Sequence, residues 1–193
     1  MRAFFTSPLA ATVPIPMTPT HLGSINTARL LLSCPTAADL PDLVRMYQDE
    51  QVMATLGGVR TADDTRQYFD RLAAHWDEHG FGLWIMREPA TNRFIGRGGL
   101  RHVLIEGTPA VEIGYGLMSE FWGRGLATEL ARESVRVGFD ELQFDELVSF
   151  TLHKNLDSQR VMQKAGIHYV RDIVHANLPH VLYRVTRSHG GRA

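Results

Sequence analysis

The sequence predicts one mixed α/β domain, with a central, mostly antiparallel, twisted sheet of about seven strands flanked by about four helices. Three observations carry this. Residues 81–87, 94–103 and 111–117 are strand-forming runs separated by turn signals at 89–92 and 106–109, which is the pattern of an antiparallel meander. The third of these runs feeds a glycine loop and then an amphipathic helix, so 111–140 reads as strand, short loop, helix. Residues 147–151 form a strand reached through that helix, so they should lie parallel to the 111 strand.

The elements follow in order. Residues 1–25 form an irregular leader: Pro8, Pro14, Pro16 and Pro19 interrupt any helical or strand period. The apolar run after Arg2 is broken too early, and lacks the cleavage site, for a signal peptide. The folded domain spans 26–187. Residues 29–33 give a first strand. Thr36 caps a helix with Asp39 in its first turn and Leu40, Leu43, Val44 and Tyr47 as its apolar stripe. An irregular link at 51–59 leads to a helix from Thr61, with Asp63 and Asp64 at its positive end and Tyr68, Phe69, Leu72 and Trp76 facing the core. Gly80 stops it. After the meander and the central helix, Asn155 opens a short helix that Gly166 ends. A closing hairpin runs through 168–173 and 181–186, and 188–193 is a polar tail.

With 193 residues, 44% hydrophobic and 21% charged, the chain has the make-up of a single globular domain. The formal net charge of -1 gives no bulk attraction to nucleic acid or to an anionic membrane. No apolar run is long enough to span a bilayer. Cys34 is the only cysteine, which rules out an intrachain disulfide and agrees with a reducing, cytoplasmic setting. His75 and His79 sit one helical turn apart, but the sequence offers them no evident third ligand, so the expectation is no metal.

The chemistry concentrates in Glu112-Ile-Gly-Tyr-Gly-Leu-Met-Ser-Glu-Phe-Trp-Gly-Arg-Gly-Leu-Ala-Thr-Glu129. Glycines let the backbone approach an anion, and the first turn of a helix offers unpaired N–H groups at its positive end. Gly123 to Thr128 is therefore a candidate pyrophosphate cradle; a plain strand-to-helix turn is the other reading. No Lys-Ser or Lys-Thr follows the second glycine, and the three-glycine dinucleotide spacing is missing. Glu112 is an acid in an otherwise apolar strand. Burial there would suit a general base, and an ion pair with Arg97 or Arg101 is the alternative. His102 and His153 are fallback bases.

Trp122-Gly-Arg-Gly-Leu-Ala127 resembles the acetyl-CoA loop of the GNAT superfamily of N-acetyltransferases, usually Gln/Arg-x-x-Gly-x-Gly/Ala. Gly125 and Ala127 hold the matching places; Trp122 stands where Gln or Arg is commoner. Asn155-Leu-Asp-Ser158 followed by Lys164-Ala-Gly166 is similar to the second signature of the family. Thr27-Ala-Arg-Leu30 is similar to the opening of the RimJ/RimL-type branch, with Ala28 in place of an acid. The resemblance covers about 26–187.

That resemblance implies the GNAT fold, its sheet splayed around an acetyl-CoA site, and acetyl transfer to a primary amine. It implies cosubstrate contacts from Leu117, Met118, Gly123, Arg124, Gly125, Leu126, Ala127, Thr128 and Asn155, with a bulged strand end near Met118 leaving a free N–H for the oxyanion. Glu112 takes the role of base and Ser158 that of acid, although Ser158 could simply start its helix. Met162 stands where many members carry a tyrosine acid. The implied acceptor is a protein N-terminal α-amine or, alternatively, a small-molecule amine such as an antibiotic. The resemblance leaves room for a homodimer. Two other classes compete: a GNAT module that binds acyl-CoA without turnover, and an enzyme of nucleotide phosphates.

Overall fold

The chain is anchored before its first strand. Leu22, in a short 3-10 turn (Thr20–Gly23), is fully buried, and its carbonyl accepts the Trp84 indole N–H at 2.7 Å. β1 (Ser24–Asn26) and β2 (Leu31–Ser33) then pair antiparallel. The structure is a computed structural model describing residues 20–187. Most of the expected leader and all of the polar tail therefore lie outside the described residues, and β1 begins inside the span read as leader.

Asp39 accepts from the Thr36 N–H and hydroxyl, each at 2.8 Å, and holds a 3-10 turn that runs into α1 (Leu40–Gln48). Asp49 caps α2 (Glu50–Met53), a single helical turn where the sequence reads as an irregular link. Thr61 and Asp64 exchange backbone-to-side-chain hydrogen bonds, a capping box that starts α3 (Ala62–His79), and Gly80 ends it with φ 68°.

β3 (Leu83–Arg87), β4 (Phe94–Ile105) and β5 (Thr108–Leu117) form the expected antiparallel meander. α4 (Leu126–Arg136) follows and closes in a π turn (Val137–Glu141). β6 (Glu146–Leu152) lies parallel to β5, α5 (Leu156–Lys164) crosses back, and β7 (His168–His175) and β8 (Leu178–Thr186) make the closing hairpin. The hairpin turns on Ala176 and Asn177, both at positive φ. The sheet has eight strands in the order β1-β2-β3-β4-β5-β6-β8-β7, one more than the sequence suggests because of β1.

Packing sets where the site falls. Gly98 lets α4 sit down on the sheet: a Cβ there would lie 2.3 Å from Leu130. Leu130 and Ala131 are fully buried against it. On the other face of β4 and β5, Tyr47 of α1 and Tyr68 of α3 meet edge to face at 5.1 Å over Arg97. The sheet is continuous except at one place. β5 and β6 share a single register pair, Glu112 with Val148. Ser149 Oγ donates to the Ile113 carbonyl at 2.8 Å, and beyond that point the two strands diverge.

Candidate active site

Strand alternation decides what lines the gap between β5 and β6. Even-numbered residues of β5 exchange hydrogen bonds with β4, as shown by the Met118 N–H donating to the Ile95 carbonyl at 2.9 Å. The N–H groups of Tyr115 and Leu117 therefore face the gap. This corrects the expected oxyanion donor. Met118 has no open backbone group, because its carbonyl also accepts from the Phe121 N–H at 3.0 Å. The register of β4 and β5 is unbroken from Gly96 to Ile105, so the opening comes from strand divergence and not from a bulge. The Leu117 carbonyl is taken by the Trp122 indole at 2.9 Å, which leaves its N–H as the donor at the mouth of the gap.

The loop between β5 and α4 is built to leave backbone bare. Gly123 and Gly125 have φ of 72° and 75°, a conformation that favours glycine. Gly125 is the N-cap of α4 and offers no capping side chain. The N–H groups at the start of this helix, from Leu126 through Thr128, thus have no partner from a cap. A Cβ on Gly123 would meet nothing within 4 Å, so the loop faces open space. An anion fits this place on backbone geometry and on helix polarity alike. The Arg124 guanidinium lies over the Phe121 ring at 5.3 Å, and Arg93 lies over the same ring at 5.0 Å, adding positive charge beside the loop.

The Thr27-Ala-Arg-Leu30 stretch belongs to this cradle. Glu129, in the first turn of α4, accepts from Thr27 Oγ1 at 2.6 Å, from the Arg29 N–H at 2.8 Å and from Arg29 Nε at 2.7 Å. Arg29 Nη1 reaches on to the Arg124 carbonyl at 2.8 Å. Burial pushes the Glu129 carboxyl up, but the hydrogen bonds from Thr27 and Arg29 outweigh it and hold the group below its ordinary value.

Across the gap, Asn155 caps α5. Its Oδ1 accepts from the Ser158 N–H at 3.2 Å and its Nδ2 donates to Thr151 Oγ1 at 3.0 Å. Ser158 does more than start a helix, because its Oγ lies 2.9 Å from the Tyr115 hydroxyl. Tyr115 also donates to the Ser158 carbonyl at 3.1 Å. Burial pushes the Tyr115 phenol well above its ordinary value; the Ser158 hydrogen bond opposes this and the charge of Glu112 adds to it. The phenol therefore keeps its proton. Met162 is fully buried core, so the phenol that meets Ser158 comes from the strand and not from α5.

Glu112 points to the opposite face of β5, as alternation requires. It is 5% exposed and accepts from Arg101 Nε at 2.6 Å, its cross-strand register partner. Of the two arginines weighed against it, Arg101 forms the pair. Arg97 is buried beside it, with its Nε donating to the Tyr47 hydroxyl at 2.9 Å. Arg60 completes a cationic wall, stacked 4.9 Å over Tyr47 and 4.7 Å over Tyr68. The fallback bases lie elsewhere: His153 pairs with Asp172 at 3.5 Å, and His102 packs against His75 and His79.

The expected site residues thus fall into one region. Glu112, Leu117, the 123–128 loop, Asn155 and Ser158 surround the divergence of β5 from β6, while Met118 borders it without contributing a backbone group. Tyr115 was missed because strand alternation alone does not tell which row of side chains meets a helix 43 residues on.

The acetyltransferase (GNAT) domain family matches residues 29–168. YkkB of Bacillus subtilis (strain 168) is 32% identical over 158 residues, which cover 81% of this chain and 92% of YkkB. An acetyltransferase from Agrobacterium tumefaciens str. C58 superposes with a TM-score of 0.76 at 23% identity, over 95% of this chain and 100% of that one. RimL, a ribosomal L7/L12 α-N-protein acetyltransferase solved in complex with coenzyme A, superposes with a TM-score of 0.68 at 14% identity, over 83% and 95%. Among the described residues, no helix is long and apolar enough to cross a membrane. The domain match spans most of the chain, and the superposed acetyltransferases share its fold: this chain belongs to the GNAT family of N-acetyltransferases.

Proposed function

We propose that this protein transfers the acetyl group of acetyl-CoA to the α-amine of a protein or peptide N-terminus. The observation that carries the reading is the disposition of proton carriers. Glu112 lies on one face of β5, and the Tyr115–Ser158 pair on the other, beside the gap that opens toward β6. Acetyl-CoA, when bound, supplies a thioester carbonyl and a thiol leaving group. The bare N–H groups of the 123–128 segment hold its pyrophosphate. The Leu117 N–H offers a hydrogen bond where negative charge develops, a kind of contact whose removal typically costs about 2.7–4 kcal/mol of transition-state stabilisation. Glu112 receives the proton of the amine, directly or through water. Tyr115, with Ser158 beside it, delivers one to the leaving sulfur.

The choice of acceptor rests on how much of the amine is neutral without help, since the Glu112 carboxylate is already engaged by Arg101. An α-amine, with an ordinary pKa near 7.8, is about one-third neutral at pH 7.5, whereas a lysine amine near 10.4 is about 0.1% neutral. Arg60, Arg97 and Arg101 on the same face further favour the uncharged amine. The likeness to RimL, which is named for α-N-protein acetylation, supports the same choice.

The test is thiol release from acetyl-CoA with three acceptor sets: peptides with a free N-terminus, the same peptides blocked at the α-amine but carrying lysine, and aminoglycosides. The reading expects turnover with the first set only. Turnover confined to the blocked peptides or the aminoglycosides would replace the acceptor class. Failure to bind acetyl-CoA by calorimetry would remove the proposal altogether.

A further inference from the structure

Away from the gap, the fold brings three histidines together. His75 and His79 share one side of the C-terminal end of α3, spaced one turn apart. His102 comes from β4, in the stretch that overhangs β3: the strand pairing ends at Leu83 with Gly99, and His102 lies beyond it. The ring centroids lie 4.5 Å apart for His75 and His79, 4.4 Å for His79 and His102, and 5.4 Å for His75 and His102. Each residue can offer one nitrogen such that all three lie within 4.8 Å of one another. The helix pair alone gives only two ligands, which is why the sequence does not suggest a metal; His102 is the third.

We propose that His75, His79 and His102 form a binding site for a borderline divalent transition metal of the zinc, cobalt, nickel and copper class. Three imidazoles are the donor set those ions prefer, and magnesium and calcium, which take oxygen, are not suited to it. The orientation of His75 is already that of a ligand. Its Nδ1 lies 2.8 Å from the Phe81 carbonyl, so that nitrogen carries the proton and Nε2 carries the lone pair. Nε2 now accepts from the His102 N–H at 3.1 Å, on the exposed side of the strand, where water can take over that contact.

Metal–nitrogen bonds of about 2.05 Å at tetrahedral angles bring the ligand nitrogens to about 3.3 Å from one another. Closing from the present spacing calls for side-chain rotation at His79 and His102, which line an open groove with Val103, Leu104 and Pro109. That groove is the entry path and leaves a fourth position for water. Charged neighbours among the described residues include Glu78, 3.8 Å from His79 Nε2, and Arg101. The site lies on the far side of β4 from Glu112, so it fastens the end of α3 to the strand that holds Arg101 and takes no part in acetyl transfer.

The test uses full-length, tag-free protein titrated with Zn²⁺ by calorimetry and with Co²⁺ by absorption. The expected result is one equivalent bound, with the visible bands of tetrahedral cobalt. His102→Ala and the double variant His75→Ala/His79→Ala, each verified as folded by circular dichroism, should weaken Zn²⁺ binding at least tenfold and abolish the cobalt bands. A His153→Ala/His180→Ala control should change neither. Binding that survives in the folded variants at full strength, or no binding by the parent protein at submillimolar Zn²⁺, would overturn the assignment.

Discussion

The hydroxyls of Tyr115 and Ser158 meet at 2.9 Å, one on β5 and the other in the first turn of α5. This places a protonated phenol beside the gap even though α5 carries only Met162 where a tyrosine acid is common. Tyr115→Phe should lower kcat about a hundredfold, with the KM for acetyl-CoA nearly unchanged. Ser158→Ala should cause a smaller loss. Thiol-release kinetics on both variants check this; a kcat for Tyr115→Phe within twofold of the parent would remove the phenol from the mechanism.

Glu112→Gln should act on both rate and stability. The amide cannot take a proton, and Arg101 loses its charged partner, at a cost of about 1.5–3 kcal/mol in unfolding free energy. The rate deficit should be greatest near pH 6.5 and shrink above pH 8.5, where an α-amine loses its proton unaided. A pH–rate profile with a free-N-terminus peptide measures it. A deficit that stays constant with pH would assign Glu112 to structure alone.

Gly123→Ala and Gly125→Ala each force an L side chain into left-handed backbone, at about 1–2 kcal/mol. Both should raise the KM for acetyl-CoA more than they lower kcat, since they disturb the cradle and leave Glu112 and Tyr115 in place. Gly123→Asn should be the mildest change, because asparagine tolerates that region and the side chain enters open space. Steady-state kinetics and thermal melts on the three variants distinguish cradle damage from global unfolding.

The Glu129 carboxyl titrates below its unfolded value, so its contribution to stability is present above a pH of about 4.3 and fades as the pH falls through the lowered folded value. Thermal melts should show Glu129→Gln below the parent by a constant margin from pH 6 to 8. That margin should close in the acid range below about pH 4. A margin that persists there would mean that the packing of the side chain, and not its charge, ties the Thr27–Arg29 stretch to α4.

Much of this was legible in the sequence, for identifiable reasons. Period-2 alternation and turn chemistry revealed the meander, and the glycines before an amphipathic helix revealed the strand, loop and helix that run into α4. Thr36, Thr61 and Gly80 marked helix ends through local chemistry that needs no partner far away. What escaped was set by tertiary contact. β1 is three residues long, and only its pairing with β2 and the burial of Leu22 define it. The choice of Leu117 over Met118 as donor depends on which edge of β5 meets β4. Tyr115 looked like an ordinary strand residue and His102 like a fallback base without metal partners, because the helices they meet lie elsewhere in the sequence.

The single register pair between β5 and β6 makes the sheet behave as two panels with a seam. β1 to β5 form one panel, β6 to β8 the other, and backbone groups on the inner edge of β5 face the slot between them. A long, thin guest bearing amides of its own would serve there as mortar, bridging the panels where the protein's own ladder stops. Mechanical integrity and cosubstrate supply are thereby tied together: the molecule is most rigid when charged for work, and its resistance to heat and proteolysis should rise with the concentration of the acyl donor around it.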